Sequence, residues 1–272
     1  MSTAQIQQPV LLINEAVRLE REANVGWVVL TRPQQINAIN DDIRRGVPQA
    51  LALLQQDPEI RVIVIRGEGE RGFCAGADIK ERRGPESSLQ VRLRMENVRW
   101  IEALDTIGKP VIAAIHGYCM GGGLELVLAC DIRFAAPNAV FALPETGLGL
   151  IPGGGGTQRL SRVVAPGQAL DMLLTGDRMN AEQAQRIGLV SRLAGDSASL
   201  VDEVRAFAQR IASKPPIASA FVKQAARAAL ELDLKSGLNL ELDLFALLAP
   251  TKDAREAAQA FSERREPRFT GE

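Results

Sequence analysis

Two glutamates occupy positions where a carboxylate is hard to keep charged. Glu125 lies between Leu124 and Leu126, just after Gly121-Gly122-Gly123. Glu145 lies in Ala142-Leu143-Pro144-Glu145-Thr146-Gly147, another apolar setting. Among aliphatic side chains a carboxylate must be hydrogen-bonded or take up a proton. That is how a glutamate becomes a general acid or base near neutral pH. Each also reads as an ordinary helix-terminal or surface charge, and sequence does not show that the two meet.

Two loops with small residues each follow an apolar run. They are Phe73-Cys74-Ala75-Gly76-Ala77-Asp78-Ile79 and Gly117-Tyr118-Cys119-Met120-Gly121-Gly122-Gly123. Small residues let a backbone approach a ligand closely with its amide N–H groups free. Three glycines at a helix start expose N–H groups where the dipole favours negative charge. One N–H from each loop can make an oxyanion hole for a thioester oxygen, each donor contributing about 3–4 kcal/mol. The same glycines also suit close strand–helix packing, and the residues leave both readings open.

Other motifs carry less. Gly67-x-Gly69-x-x-Gly72 matches a dinucleotide fingerprint formally. No helix pattern follows it, because Phe73 to Ala77 gives way to a charged stretch with Gly84-Pro85. A pyrophosphate needs that helix N-terminus. Gly153 to Gly156 precedes Thr157-Gln158-Arg159 rather than the Lys-Ser/Thr pair of a phosphate loop. His116 is the only histidine and has no nucleophile or zinc motif beside it, so a structural role is expected.

The elements that must position these groups are legible in outline. Residues 17–22 and 27–31 read as a hairpin around Asn24-Val25-Gly26. Asn40 is a plausible N-cap for a helix, with Asp41 and Asp42 in its first turn. Gly46 and Pro48 predict a break or kink in that helix. Val62 to Ile65 and Val111 to Ile115 are short apolar runs suited to strands buried on both faces. Val91, Met95, Val98, Ile101 and Leu104 recur between them at helical spacing, the pattern of a crossover helix. Short strands are expected at 132–135, 140–142 and 189–193. Helices are expected at 157–164, 168–174, 181–187, 200–212, 217–230 and 253–264.

With no Gly/Ser/Pro-rich linker, the 272 residues read as one packed unit. Residues 11–195 form its α/β core and 196–272 its helical region. The formal charge of −1 supplies no basic field for nucleic acid. Three cysteines, Cys74, Cys119 and Cys130, have no C-x-x-C spacing and read as reduced thiols. Met1 to Pro9 is polar without basic residues, unlike a signal peptide, and no apolar run approaches membrane length. A cytoplasmic protein is expected.

In combination, three stretches resemble the crotonase (enoyl-CoA hydratase/isomerase) family. They are Phe73 through Lys80-Glu81, Gly121 through Leu126 to Ala129-Cys130-Asp131, and Pro144-Glu145 followed by Ile151-Pro152-Gly153-Gly154-Gly155-Gly156-Thr157-Gln158-Arg159-Leu160. The similarity runs from about Val17 to the C-terminus. It implies a spiral of ββα units, a C-terminal helical region used in trimerisation, and trimers that usually pair into hexamers. It also implies an oxyanion hole from the N–H groups of Ala77 and Gly122. The implied CoA contacts are Ala75, Ala77, Asp78, Ile79, Lys80 and Gly122, with Lys80 near the adenosine end.

Both acidic positions of the family are kept, at Glu125 and Glu145, which is the hydratase pattern. The resemblance implies water addition across the 2,3-double bond of an acyl-CoA thioester with no metal or redox cofactor, coenzyme A being part of the substrate. Glu145 would deliver a proton to C2 while Glu125, ionised beside a helix N-terminus, activates the water. Within the family the motifs are most similar to the methylglutaconyl-CoA hydratases, a group that includes an RNA-binding member. Residues 40–56 lack lysine, and their Arg44 and Arg45 are offset by Asp41 and Asp42, so no nucleic-acid partner is expected.

Overall fold

The structure is a computed structural model and describes residues 10–78, 80–81 and 84–272. The reading of Met1 to Pro9 and the assignment of Ile79 lie outside the described residues. Strands β1 (Val10–Asn14), β2 (Val17–Glu22) and β3 (Val25–Leu30) pair antiparallel in sequence order. The hairpin turn is Ala23-Asn24, with Ala23 at φ 49°, one step earlier than expected. Val25 and Gly26 are strand residues paired on both sides, and Leu54 packs into the space where a Gly26 side chain would stand.

Helix α1 (Asp41–Gln56) begins at Asn40, whose side chain accepts the N–H of Ile43 at 3.0 Å. It runs unbroken through Gly46 and Pro48, against the expected break. An interior proline costs about 3 kcal/mol. Burial of Ile43, Val47, Leu51 and Leu54 contributes about 1.5–3 kcal/mol each and outweighs it. Gly46 has its own reason to be small, since Asn14 and Val17 press against it.

Strand β4 (Val62–Gly67) pairs parallel with β3, and β5 (Val111–Ile115) pairs parallel with β4. Between them α2 (Ser88–Asn97) starts on a Ser87/Gln90 capping box and buries none of its residues. The expected crossover helix is therefore split. Only Ile101 and Leu104, in a 3-10 turn over Ile101–Thr106, reach the core.

The remaining elements are β6 (Tyr118–Met120), α3 (Gly122–Ala129), β7 (Ile132–Ala135) and β8 (Val140–Ala142). A 3-10 turn, Pro144–Leu148, leads to α4 (Gly156–Val163), α5 (Pro166–Thr175), β9 (Met179–Asn180) and α6 (Ala181–Arg186). Then come β10 (Arg192–Leu193), α7 (Leu200–Ala212), α8 (Pro216–Ala228), α9 (Leu234–Leu248) and α10 (Lys252–Glu263). The 189–193 strand shrinks to two residues, while β1, β6, β9 and α9 have no counterpart among the expected elements.

One sheet runs β1-β2-β3-β4-β5-β7-β10, and a smaller one β6-β8-β9. Side-chain alternation splits the core of the large sheet. Ile63 and Ile65 face α1, while Val62 and Val64 face α7 through Leu200, Val204 and Ala208. Both faces of β4 are thus covered, as its continuous apolar run requires. No helix among the described residues is long and apolar enough to cross a membrane.

The proline in α1 gives a direct check on this balance. Pro48→Ala is expected to raise stability by about 1–3 kcal/mol, read as a higher urea midpoint at fixed protein concentration. An unchanged midpoint would mean that the helix carries no cost there.

Candidate active site

The two small-residue loops lie side by side, joined by backbone hydrogen bonds. Cys74 donates to Tyr118 O at 3.0 Å, and Met120 donates to Cys74 O at 2.9 Å. Glycine is required along this seam. A Cβ on Gly72 would stand 2.4 Å from the Tyr118 nitrogen, and one on Gly123 would stand 2.6 Å from the Cys74 oxygen. Gly76, at φ +92°, lies against Met120 O and near the nitrogen of Gly122. The two expected N–H donors are thereby brought together from separate loops.

Neither the N–H of Ala77 nor that of Gly122 donates a hydrogen bond among the described residues. Gly122 opens α3, so its N–H points out of the positive end of the helix. Ala77 follows Gly76, whose carbonyl accepts from Ile39, and precedes Asp78, whose N–H donates to Ile39 O. Its flanking groups are fixed and its own donor is left over.

The two glutamates stand over the same glycines. Oε1 of Glu145 would be 3.0 Å from a Cβ on Gly121, and Oε2 of Glu125 would be 3.9 Å from one on Gly122. Glu125 is 5% exposed, and its Oε1 accepts from Gly154 N at 2.6 Å and Gly156 N at 2.9 Å. Burial pushes its carboxyl above the ordinary range, the two N–H bonds oppose this, and the negative charge of Glu145 adds to the rise. Glu145 is also raised by burial, and its buried Oε2 has no hydrogen-bond partner. Both carboxyls are thus raised by burial, but two amides favour the charged form of Glu125 while the buried oxygen of Glu145 has no donor.

Of the other expected site residues, Ala75, Ala77 and Lys80 are exposed beside this cleft, and Asp78 is half-buried. The Asp78 carboxylate is committed to Arg32 at 2.9 Å, which holds it below the usual range. His116 bonds Gly69 O at 2.7 Å, the structural role expected. All three cysteines are free and buried. Gly69 and Gly72 lead into the loop and not into a helix, so the dinucleotide reading falls.

Sequence reasoning missed three features. Asn37, fully buried at φ 53°, donates to Phe73 O at 3.0 Å and to Gly72 O at 3.2 Å, clamping the first loop. Arg32 braces the same loop through Asp78 and Ala38 O. The third is the amide pair of Gly154 and Gly156. A polar residue inside Ile36-Asn37-Ala38-Ile39 and a glycine run before a helix were the available signals.

The sequence model of the enoyl-CoA hydratase/isomerase family matches residues 20–272. The chain belongs to that family. It is 40% identical to a crotonyl-CoA hydratase of Syntrophomonas wolfei over 94% of this chain and 98% of the relative. It is 42% identical to a mitochondrial enoyl-CoA hydratase of Pongo abelii, over 90% of this chain and 83% of the relative. A crystal structure of enoyl-CoA hydratase from Bacillus anthracis superposes with a TM-score of 0.90 at 37% identity, covering 94% of this chain and all of that one. The crotonase-type fold expected from the sequence is therefore the fold observed.

The raised carboxyl of Glu145 generates a test of sign. A folded-state value above the unfolded one means that ionisation opposes folding, so stability falls as pH rises from the ordinary carboxylate range through the raised one. Glu145→Gln is expected to melt no lower than the parent at pH 8. The difference should shrink toward pH 4, where the parent glutamate is neutral. A variant that melts lower at pH 8 than at pH 4, relative to the parent, would contradict the assignment.

Proposed function

We propose that this enzyme adds water across the 2,3-double bond of a short or branched 2-enoyl-CoA. The observation that carries the reading is the pair Glu125 and Glu145 standing over Gly121 and Gly122, beside two undirected N–H groups. The thioester oxygen accepts from the N–H groups of Ala77 and Gly122, which hold the charge that develops as C3 is attacked. Glu125, whose charged form the N–H groups of Gly154 and Gly156 favour, takes a proton from the water whose oxygen joins C3. Glu145 delivers a proton to C2. One proton then returns from Glu125 to Glu145 and restores both groups.

The segment 75–80 and Gly122 bind the CoA portion, with Asp78 contributing through its backbone because its carboxylate serves Arg32. No cluster of three metal-ligating side chains exists among the described residues, and the scheme calls on no cofactor. The relatives' names favour short linear acyl groups, and 3-methylglutaconyl-CoA is the branched alternative. The cytoplasm is the compartment this reading assigns.

The C-terminal helices support a trimer, or a hexamer built from two. Leu234, Leu238, Leu242 and Phe245 line one side of α9 and are each more than half exposed. Such a stripe is an interface in an enzyme of this composition. Arg44 and Arg45 of α1 are paired with Asp41, Glu81 and Asp42, which supports the absence of a nucleic-acid partner.

Crotonyl-CoA is expected to give 3-hydroxybutyryl-CoA without added metal or nucleotide, followed by loss of enoyl-thioester absorbance and by product analysis. Free CoA or a shifted double bond alone would point instead to a thioesterase or an isomerase. Glu125→Gln and Glu145→Gln should each lower kcat by about 10²–10⁴ with little change in CoA affinity. Wild-type turnover in either variant would return that glutamate to a structural role. Leu238→Glu with Leu242→Glu should shift the sedimentation coefficient toward monomer, and an unchanged oligomer would sink the assembly proposal.

A further inference from the structure

Arginine rarely lies buried without a carboxylate. Arg133, at the second position of β7, is 8% exposed. Its Nε donates to Leu189 O at 2.6 Å and its Nη1 to Cys130 O at 3.0 Å. Its Nη2 donates to nothing, and no carboxylate lies within ion-pair distance, among the described residues. The neighbouring Asp131 acts on it only through space. Its oxygens serve Lys223 and Arg227 at 2.8 Å each, and Val111 N at 2.7 Å.

Arg133 lines a cavity of about 700 Å³ between the C-terminal end of α3, α4 and α8. That size falls within the range of small-molecule sites, about 300–1,000 Å³. Its walls carry six cationic side chains, Arg133, Arg159, Arg162, Lys214, Lys223 and Arg227, against three carboxylates, Asp105, Asp131 and Glu231. This local excess stands in a chain whose formal charge is −1. Asp105 is spent on Arg159 and Asp131 on Lys223 and Arg227. The cations left without a carboxylate among the described residues are Arg133, Arg162 and Lys214. The rest of the lining is largely aliphatic, including Leu128, Val163, Ile211 and Val222.

We infer that this cavity binds a small organic anion with an apolar body, a carboxylate on an aliphatic chain. The guanidinium of Arg133 presents its remaining N–H groups to the carboxylate, a geometry that suits two parallel hydrogen bonds. Arg162 and Lys214 add charge from the rim, and the aliphatic walls take the chain. Burying an uncompensated guanidinium is costly, and an anionic occupant removes that cost. A free phosphate would satisfy the charge and leave the apolar walls wet. The site is separate from the proposed active site, because none of Ala77, Gly122, Glu125 and Glu145 lines it.

Calorimetric titration of the whole enzyme with decanoate tests the inference. Saturable binding at one decanoate per chain is expected, unchanged by saturating CoA. Decanol and inorganic phosphate should each bind at least tenfold more weakly. Arg133→Gln should weaken decanoate binding at least tenfold. Because Arg133 also braces two carbonyls, Arg162→Gln with Lys214→Gln on the exposed rim provides an independent variant, expected to weaken it at least fivefold. Crotonyl-CoA turnover reports separately on the proposed reaction. The inference is overturned by an absence of decanoate binding, by displacement with CoA, by equal binding of decanol or phosphate, or by wild-type affinity in the rim variant.

Discussion

The seam between residues 72–76 and 117–123 is the constraint on which the rest of the site depends. Two loops from the ends of β4 and β5 approach until backbone meets backbone, with the main chains of Cys74 and Cys119 paired as in a parallel sheet. Such an approach leaves no room for a Cβ at Gly72, Gly117 or Gly123, where it would meet main-chain atoms at 2.3–2.6 Å. The parallel pairing of β4 and β5 fixes where the two loops start. Asn37 then ties the first loop to the segment after β3 through carbonyls that would otherwise be buried without donors. Moving either loop by an ångström would separate the N–H groups of Ala77 and Gly122, which the proposed oxyanion hole needs in register.

The electrostatics follow from that frame. Burial raises both carboxyls and the charge of Glu145 adds to the rise at Glu125, so the two are not comfortably ionised together. The structure resolves the conflict unequally. Glu125 receives two amide N–H groups from the glycine run before α4, at the positive end of that helix. Glu145 receives none on its buried oxygen. The same glycine run that fails as a phosphate loop therefore acts as a carboxylate holder, with an internal side chain in place of a ligand anion.

What the sequence disclosed and what it hid follow a physical line. Buried strands such as 62–65 and 111–115 announce themselves because both faces must be apolar, and the N-cap at Asn40 is a local hydrogen bond. Glu125 and Glu145 stood out through their neighbours, and the family resemblance supplied Ala77 and Gly122, whose proposed role resides in the backbone. The errors arose where distant residues decide. Pro48 is carried by the buried face of α1, and Gly26 lies within a strand with Leu54, twenty-eight residues on, filling the space beside it. Asn37 and Arg32 were missed since their partners lie more than thirty residues away for Asn37 and 46 away for Arg32. Helix α9 went unread because its apolar stripe answers to no surface within one chain.

The two ends of α3 face different problems. Its N-terminus carries Gly122 and Glu125 toward the cleft, while Leu128 to Cys130 at its C-terminus form the floor of the cationic cavity. Helix α4 spans the same distance. The glycines at its start hold Glu125, and Arg159 and Arg162 farther along line the cavity. The Asp105–Arg159 pair lies beside that span, and Arg227 of α8 bonds Ala129 O at the end of α3. Helix α8 is therefore attached to the core through charged side chains at one end of α3, whereas α7 packs on the sheet through Leu200, Val204 and Ala208. That attachment leaves the apolar stripe of α9 free for another surface, and it makes α3 and α4 the rigid elements shared by the carboxylate pair and the helical region.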